Sequence, residues 1–156
     1  MKIIQFTEKS GPIFEKIVSW NYEWWGKKTG KSMDAVKCYI EHSVNSEKLP
    51  QTFVALDNGE VVGMYQLSMN DDLFGRPDIY PWLINVYVAP EHRGKQICRI
   101  LMDTVKEHAK KAGITTLYLY TSHVGLYEKF GWEFMEFVDT FEMNAEKERL
   151  YCLEIK

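Results

Sequence analysis

The run Val86-Tyr87-Val88-Ala89-Pro90-Glu91-His92-Arg93-Gly94-Lys95-Gln96-Ile97-Cys98-Arg99-Ile100-Leu101 limits what this chain can fold into more than any other stretch. Leu83, Ile84, Val86 and Val88 form an alternating apolar segment, which predicts a strand ending at Ala89-Pro90. A short polar loop with Arg93 and Gly94 follows. Ile97, Ile100, Leu101 and Val105 then recur at helical spacing and predict one apolar helix face. A strand, a loop and a helix start in succession aim unpaired backbone N–H groups and the positive end of a helix dipole at one point. Such a point suits a pyrophosphate.

The rest of the chain must supply a sheet for that strand. Residues 3–6 read as a first strand, and Ser10 or Thr7 caps a helix with Pro12 in its first turn. Ile13, Ile17, Trp20 or Asn21, and Trp24 share the apolar side of that helix up to Gly26. Four rings crowd its end, Trp20, Tyr22, Trp24 and Trp25; most are expected to pack, and one or two to line a substrate cleft. Ser32 caps a second helix with Met33, Val36, Tyr39 and Ile40 on its buried side. Residues 52–56 and 60–69 form antiparallel strands joined by Asp57-Asn58-Gly59, a strong hairpin signal. A loop over 70–81 carries Asp71, Asp72 and Asp78, and the central strand covers 82–88.

A helix over 97–112 ends at Gly113, and the strand over 117–121 that follows it implies a parallel pair. Residues 122–130 predict a short helix ending at Gly131-Trp132, and strands over 132–137 and 150–155 close the chain. The order is β-α-α-β-β-β-α-β-α-β-β.

At 156 residues this is one expected domain, 1–156, and its 46% hydrophobic and 26% charged residues describe a water-soluble globular chain. No apolar run is long enough to span a bilayer and no signal peptide is evident, so a cytoplasmic protein without a membrane partner is expected. Cys38, Cys98 and Cys152 lack C-x-x-C spacing, which points to thiols and away from disulfides or zinc. The net charge of −3, with basic residues scattered, argues against nucleic acid as a partner. His42 and His108 sit within predicted helices and His92 is expected to face solvent; none has metal-ligand spacing, and no metal is expected.

Two segments add a family likeness. Arg93-Gly94-Lys95-Gln96-Ile97-Cys98, behind its Val-x-Pro-like lead-in, resembles the acyl-CoA loop of the GNAT acetyltransferases, whose pattern is Arg or Gln, two residues, Gly, one residue, then Gly or Ala. Leu126-Tyr127-Glu128-Lys129-Phe130-Gly131-Trp132 is similar to the family's L-Y-x-K-x-G-F segment, at the expected distance behind the loop. The order of elements is that of the GNAT fold over nearly the whole chain. The resemblance implies an α/β (α+β) fold: a mixed, mostly antiparallel sheet flanked by helices, with a splayed parallel pair at the cofactor site.

It also implies an N-acetyltransferase that moves the acetyl group of acetyl-CoA directly to a primary amine, with CoA as product. Val86, Tyr87 and Val88 would offer main-chain groups to the pantetheine, and Arg93, Gly94, Lys95, Gln96, Ile97, Cys98 and Arg99 would surround the pyrophosphate. Gln96 and Cys98 depart from the glycines of the pattern. The expectation is that by Gln96 the chain has entered a right-handed helix with negative φ and that Cys98, close to alanine in size, fits.

A primary amine, with a pKa of about 10.4, must lose a proton before it attacks, and the leaving thiolate must gain one. Tyr127 stands where the family carries its proton donor. For the base, three candidates stay open: His123, four residues ahead of Tyr127 on the predicted helix and otherwise a helix-start or packing residue; Asp78; and a water chain ending on backbone and Asn85. Trp24, Asp78 and Asn85 are the expected acceptor contacts. Asp71, Asp72 and Asp78 with the Trp-rich helix suit a cationic small molecule such as a polyamine or amino sugar, and a peptide N-terminus is equally compatible. A monomer or homodimer is expected. The competing reading is a catalytically silent acyl-CoA-binding or protein-interaction module with the same fold.

Overall fold

The computed structural model describes residues 1–71, 73, 75–140 and 146–156. Its elements are β1 (Lys2–Phe6), α1 (Pro12–Asn21) running into one π-helical turn (Tyr22–Gly26), α2 (Met33–His42), β2 (Gln51–Asp57), β3 (Glu60–Ser68), β4 (Trp82–Val88), a 3-10 turn (Pro90–His92), α3 (Ile97–Lys111), β5 (Thr116–Thr121), a 3-10 turn (Tyr127–Phe130), β6 (Glu133–Val138) and β7 (Glu148–Glu154). The strands are hydrogen-bonded in the order β1-β2-β3-β4-β5-β7-β6. This is the expected mixed α/β class: β1–β2, β5–β7 and β6–β7 are antiparallel, and β4–β5 is parallel. No helix among the described residues is long and apolar enough to cross a membrane.

The chain forms two compact units. The first comprises Met1–Gln66 and Asn85–Lys95. Its hairpin turns as the sequence predicts, with Asn58 at φ 49 and Gly59 at φ 83, the paired left-handed residues a two-residue β-turn needs. Phe14, Ile17 and Val18 of α1 and Val36 and Ile40 of α2 pack with Phe6, Val54, Val61 and Met64. Neither Ser10 nor Thr7 caps α1; Gly11, at φ 96, is the N-cap, and Pro12 behind it has no N–H left to satisfy. Ser32 does cap α2, its Oγ accepting from the Ala35 N–H at 3.1 Å.

Met33 and Tyr39, expected inside, are exposed, because α2 buries only the pair Val36 and Ile40 one turn apart. Tyr39 instead meets Trp25 edge-on, with ring centroids 6.0 Å apart. The π-turn requires Gly26: a Cβ there would lie 2.7 Å from Val36 Cγ2 and 3.1 Å from Tyr22 Cδ2.

The second unit comprises Leu67–Ile84 and Gln96–Lys156. Trp82 pairs with Tyr118, whose N–H donates to the Pro81 carbonyl at 3.1 Å. Trp82, Ile79, Leu73, Val138 and Leu150 form its core cluster, and the Trp82 indole donates to the Ile79 carbonyl at 2.7 Å. Helix α3 buries Ile97, Leu101, Met102, Val105 and Ala109. Ile100, expected on that face, is exposed, since the buried stripe follows steps of four from Ile97 and leaves the position three residues on at its edge. The helix predicted over 122–130 shrinks to Tyr127–Phe130, because Gly125 at φ 75 breaks any right-handed run before it.

Candidate functional site

After β4 the chain is fastened at once, the Ala89 N–H donating to the Val62 carbonyl at 3.0 Å. One 3-10 turn later Arg93 folds back: its Nε donates to the Val88 carbonyl at 3.1 Å, and its guanidinium carbon lies 6.0 Å from the centre of the Tyr87 ring. Gly94 follows at φ 79, with open space where a Cβ would stand.

Gln96 is the N-cap of α3 and has φ 61, ψ 14, which overturns the expectation of negative φ there. The reason is positional. The right-handed helix begins one residue later, at Ile97, and the chain must make a left-handed turn to enter it. No side chain caps this helix start and no acidic residue lies in its first turn. The first N–H groups of a helix have no partner within it, so those of Ile97, Cys98 and Arg99 are free of an intrahelical acceptor. Open amides with no acidic residue on the first turn suit an anion such as a pyrophosphate.

Within β4 the backbone turns left-handed at Asn85, which has φ 51. A left-handed residue inside a strand breaks the ladder and re-aims the next residues, here Val86, Tyr87 and Val88, all half-buried. The Asn85 Nδ2 donates to Gln66 Oε1 at 2.7 Å. Tyr87 packs against two rings of the aromatic helix end, Trp20 at 5.0 Å and Trp24 at 5.6 Å between centroids. Trp24 remains 39% exposed. The first unit thus brings together Trp24, Asn85, Tyr87 and Arg93. Gln66 was not singled out from the sequence, although a glutamine inside the apolar run of β3 was a usable signal.

In the second unit Tyr127 opens the 3-10 turn and is 8% exposed, edge-on to Trp132 with centroids 6.1 Å apart. Burial, with the Cys98 thiol adding to it, pushes the Tyr127 hydroxyl well above the ordinary tyrosine range, so it holds its proton at any physiological pH. Burial also pushes up the half-buried Cys98 thiol. Arg99 lies against the Phe130 ring at 5.7 Å, and Lys95, in the first unit, is exposed.

His123 is exposed in the bend before the turn, its backbone N–H donating to Thr121 Oγ1 at 3.1 Å. It therefore shares no helix face with Tyr127. Asp78 is exposed and hydrogen-bonded by Arg76 at 3.2 Å, and that guanidinium holds its carboxyl below the usual carboxylate range. Arg76 also reaches Glu136 at 2.7 Å. Asp72 lies outside the described residues.

Glu60, Glu91 and His92 bring ligand atoms within 4.8 Å of one another. His92 is more enclosed than its sequence position suggests, with 15% of its side chain exposed. The Lys16 ammonium, 3.2 Å from Glu60, neutralises part of this cluster, which we read as a surface ion-pair network.

The model of the acetyltransferase (GNAT) family matches residues 14–132. No curated protein matches the chain. Among solved structures, an aminoglycoside 6'-N-acetyltransferase complexed with coenzyme A superposes with a TM-score of 0.78 at 17% identity, over 100% of this chain and 98% of that one. The aminoglycoside 6'-N-acetyltransferase from Enterococcus faecium gives 0.75 at 18% identity, over 100% and 98%. A GNAT family acetyltransferase from Elizabethkingia anophelis with acetyl-CoA bound gives 0.66 at 17% identity, over 98% and 97%. At these identities the likeness is one of fold.

Proposed function

Since the chain belongs to the GNAT acetyltransferase family, we propose that it is an acetyl-CoA-dependent N-acetyltransferase whose acceptor is a primary amine, working in the cytosol with residues 1–156 as one catalytic domain. The observation that carries this is the left-handed backbone at Gly94 and Gln96 ahead of the uncapped N-terminus of α3, which supports reading Arg93 to Arg99 as the pyrophosphate loop. Acetyl-CoA, when bound, supplies the activated acyl group. The backbone of Val86, Tyr87 and Val88, re-aimed by Asn85, holds the pantetheine arm and offers an N–H to the thioester oxygen. Arg93, Gly94, Lys95, Gln96, Ile97, Cys98 and Arg99 hold the pyrophosphate.

Tyr127 keeps a proton on its hydroxyl for the departing sulfur. Because burial holds that proton tightly against a thiol of ordinary pKa about 8.5, its part is to donate a strong hydrogen bond more than to ionise. His123, exposed just ahead of the turn, is the group we assign to take the acceptor's proton, directly or through water ending on Asn85. Asp78 is a weaker base than its sequence position suggests, because Arg76 stabilises its charged form.

A cationic small molecule, an amino sugar or polyamine, is the acceptor class we favour. The exposed Trp24 ring beside Tyr87 supports it, as does the aminoglycoside chemistry of two structural neighbours. The second reading, a silent acyl-CoA-binding or protein-interaction module, draws on Gln96, whose positive φ the family's glycine would adopt without strain. Thiol release from acetyl-CoA across aminoglycosides, polyamines and peptide N-termini decides between them. Turnover with an amine is the expected result; CoA binding without turnover on any of them favours the second reading.

A further inference from the structure

Behind Asn85 lies a buried polar chain in which every donor meets an acceptor. Ser43 Oγ shares its hydrogen between the carbonyls of Tyr39 and Ile40, both at 3.0 Å, and Thr52 Oγ1 donates to the Ser43 carbonyl at 2.8 Å. A hydroxyl has a single hydrogen, so towards Gln66 both oxygens offer only lone pairs. Gln66 must therefore turn its NH2 to them, and it does, at 2.7 Å to Ser43 and 2.9 Å to Thr52. Both of its N–H groups are then committed, and only Oε1 is left for Asn85. Asn85 in turn must donate through Nδ2. Gln66 and Thr52 are almost wholly buried, so reversing one of these amides alone sets like groups against each other, acceptor against acceptor for Asn85 and donor against donor where Gln66 faces Asn85, which is costly away from water.

The consequence falls at the far end. With Nδ2 pinned, Asn85 presents its Oδ1 as a fixed acceptor, and Oδ1 has no hydrogen-bond partner among the described residues. Asn85 immediately precedes Val86, Tyr87 and Val88. We infer that Asn85 Oδ1 accepts an N–H of the attacking amine, and that Gln66, held by Ser43 and Thr52, is the positioning residue that fixes it. The inference rests on the acetyltransfer reading.

It leaves the balance of the reaction intact. The amine nitrogen forms the new C–N bond, and the C–S bond breaks with its electron pair passing to sulfur. One proton leaves the nitrogen for His123, directly or through water, and sulfur gains one. A neutral primary amine has two N–H groups, so one can be held by Oδ1 while the other is lost. A secondary amine has a single N–H for both tasks, so the site selects primary amines.

The test is Asn85→Gly, which keeps a residue at ease with positive φ and removes only the carboxamide. The variant is expected to bind CoA within about twofold of wild type by calorimetry while its KM for the amine rises about tenfold, the loss of one hydrogen bond. Its preference for a primary amine over the N-methyl counterpart should shrink as well. Gln66→Met, close in volume, should shift the amine KM in the same direction with CoA affinity kept. Turnover with the amine KM and preference of wild type in Asn85→Gly overturns the inference alone. Wild-type protein that binds CoA and acetylates no amine overturns the acetyltransfer reading and the inference with it.

Discussion

Arg93 donates from Nε to the carbonyl of Val88 at 3.1 Å, so the loop is tied to the very strand it leaves. One edge of the guanidinium is used up in this bond. The terminal nitrogens stay available to a phosphate, and the tie orients them in advance.

Arg93→Ala should therefore weaken CoA binding by about 1.5–3 kcal/mol, the range for hydrogen bonds to charged groups. Calorimetry should show about the same loss for dephospho-CoA, because the arginine is assigned to the pyrophosphate. Gly94→Asp, which adds a negative charge and a side chain at φ 79, should be at least as harmful. Unchanged affinity in both variants would mean that the cofactor lies elsewhere.

Gln96 occupies a left-handed conformation without a cap or a side-chain bond to recompense it. Replacement by glycine should raise stability by about 1 kcal/mol, the lower end of the cost of that conformation for an L-residue. In a thermal melt this is about 2–4 °C for a chain of this size. Gln96→Val, β-branched and less tolerant of positive φ, should shift the melt the other way.

Tyr127→Phe should leave CoA affinity in place and lower kcat about tenfold to a hundredfold, at the low end of general acid effects since a hydrogen bond is removed and not a full proton transfer. A pH signature should accompany it. The folded pKa of Tyr127 is raised, so its neutral form is favoured in the fold. Stability from this group is complete below the ordinary tyrosine value of about 10 and is lost as pH rises beyond it. Melts between pH 9 and 11 should fall more steeply for wild type than for Tyr127→Phe; equal slopes would refute the buried hydroxyl.

Gly26→Ala should destabilise the first unit by about 1–3 kcal/mol, the range for overpacking, because Val36 Cγ2 lies 2.7 Å from the added carbon. Denaturant unfolding of the variant, alone and combined with Val36→Ala, checks the cause. Recovery in the double variant identifies the clash.

What was legible in the sequence is what short-range chemistry decides. Asn58-Gly59 makes its hairpin and Ser32 its cap because the partners lie within three residues. The strand, loop and helix around Arg93 were legible for the same reason. Positive φ at Gln96 was not, since nothing in a glutamine announces it and the need arises from where α3 begins. Asn85 was nearer to readable: an asparagine in a central strand is unusual, and its partner Gln66 is equally out of place in β3. Their meeting belongs to tertiary structure. Met33, Tyr39 and Ile100 failed because helical periodicity marks a face but not its width.

The π-helical turn at Tyr22–Gly26 has a counting consequence. A π-turn takes up one residue more than the α-turn it replaces, and each residue of an α-helix advances about 100° around the axis. Trp24 sits within this wide turn and keeps part of its ring in the open beside Tyr87, so the placement follows from the number of residues in the turn as much as from any side-chain preference. Loss of a single codon there would swing the ring to another side of the helix. The acceptor rim proposed for this protein is thus open to change by length, one residue at a time, while every side chain in it stays the same.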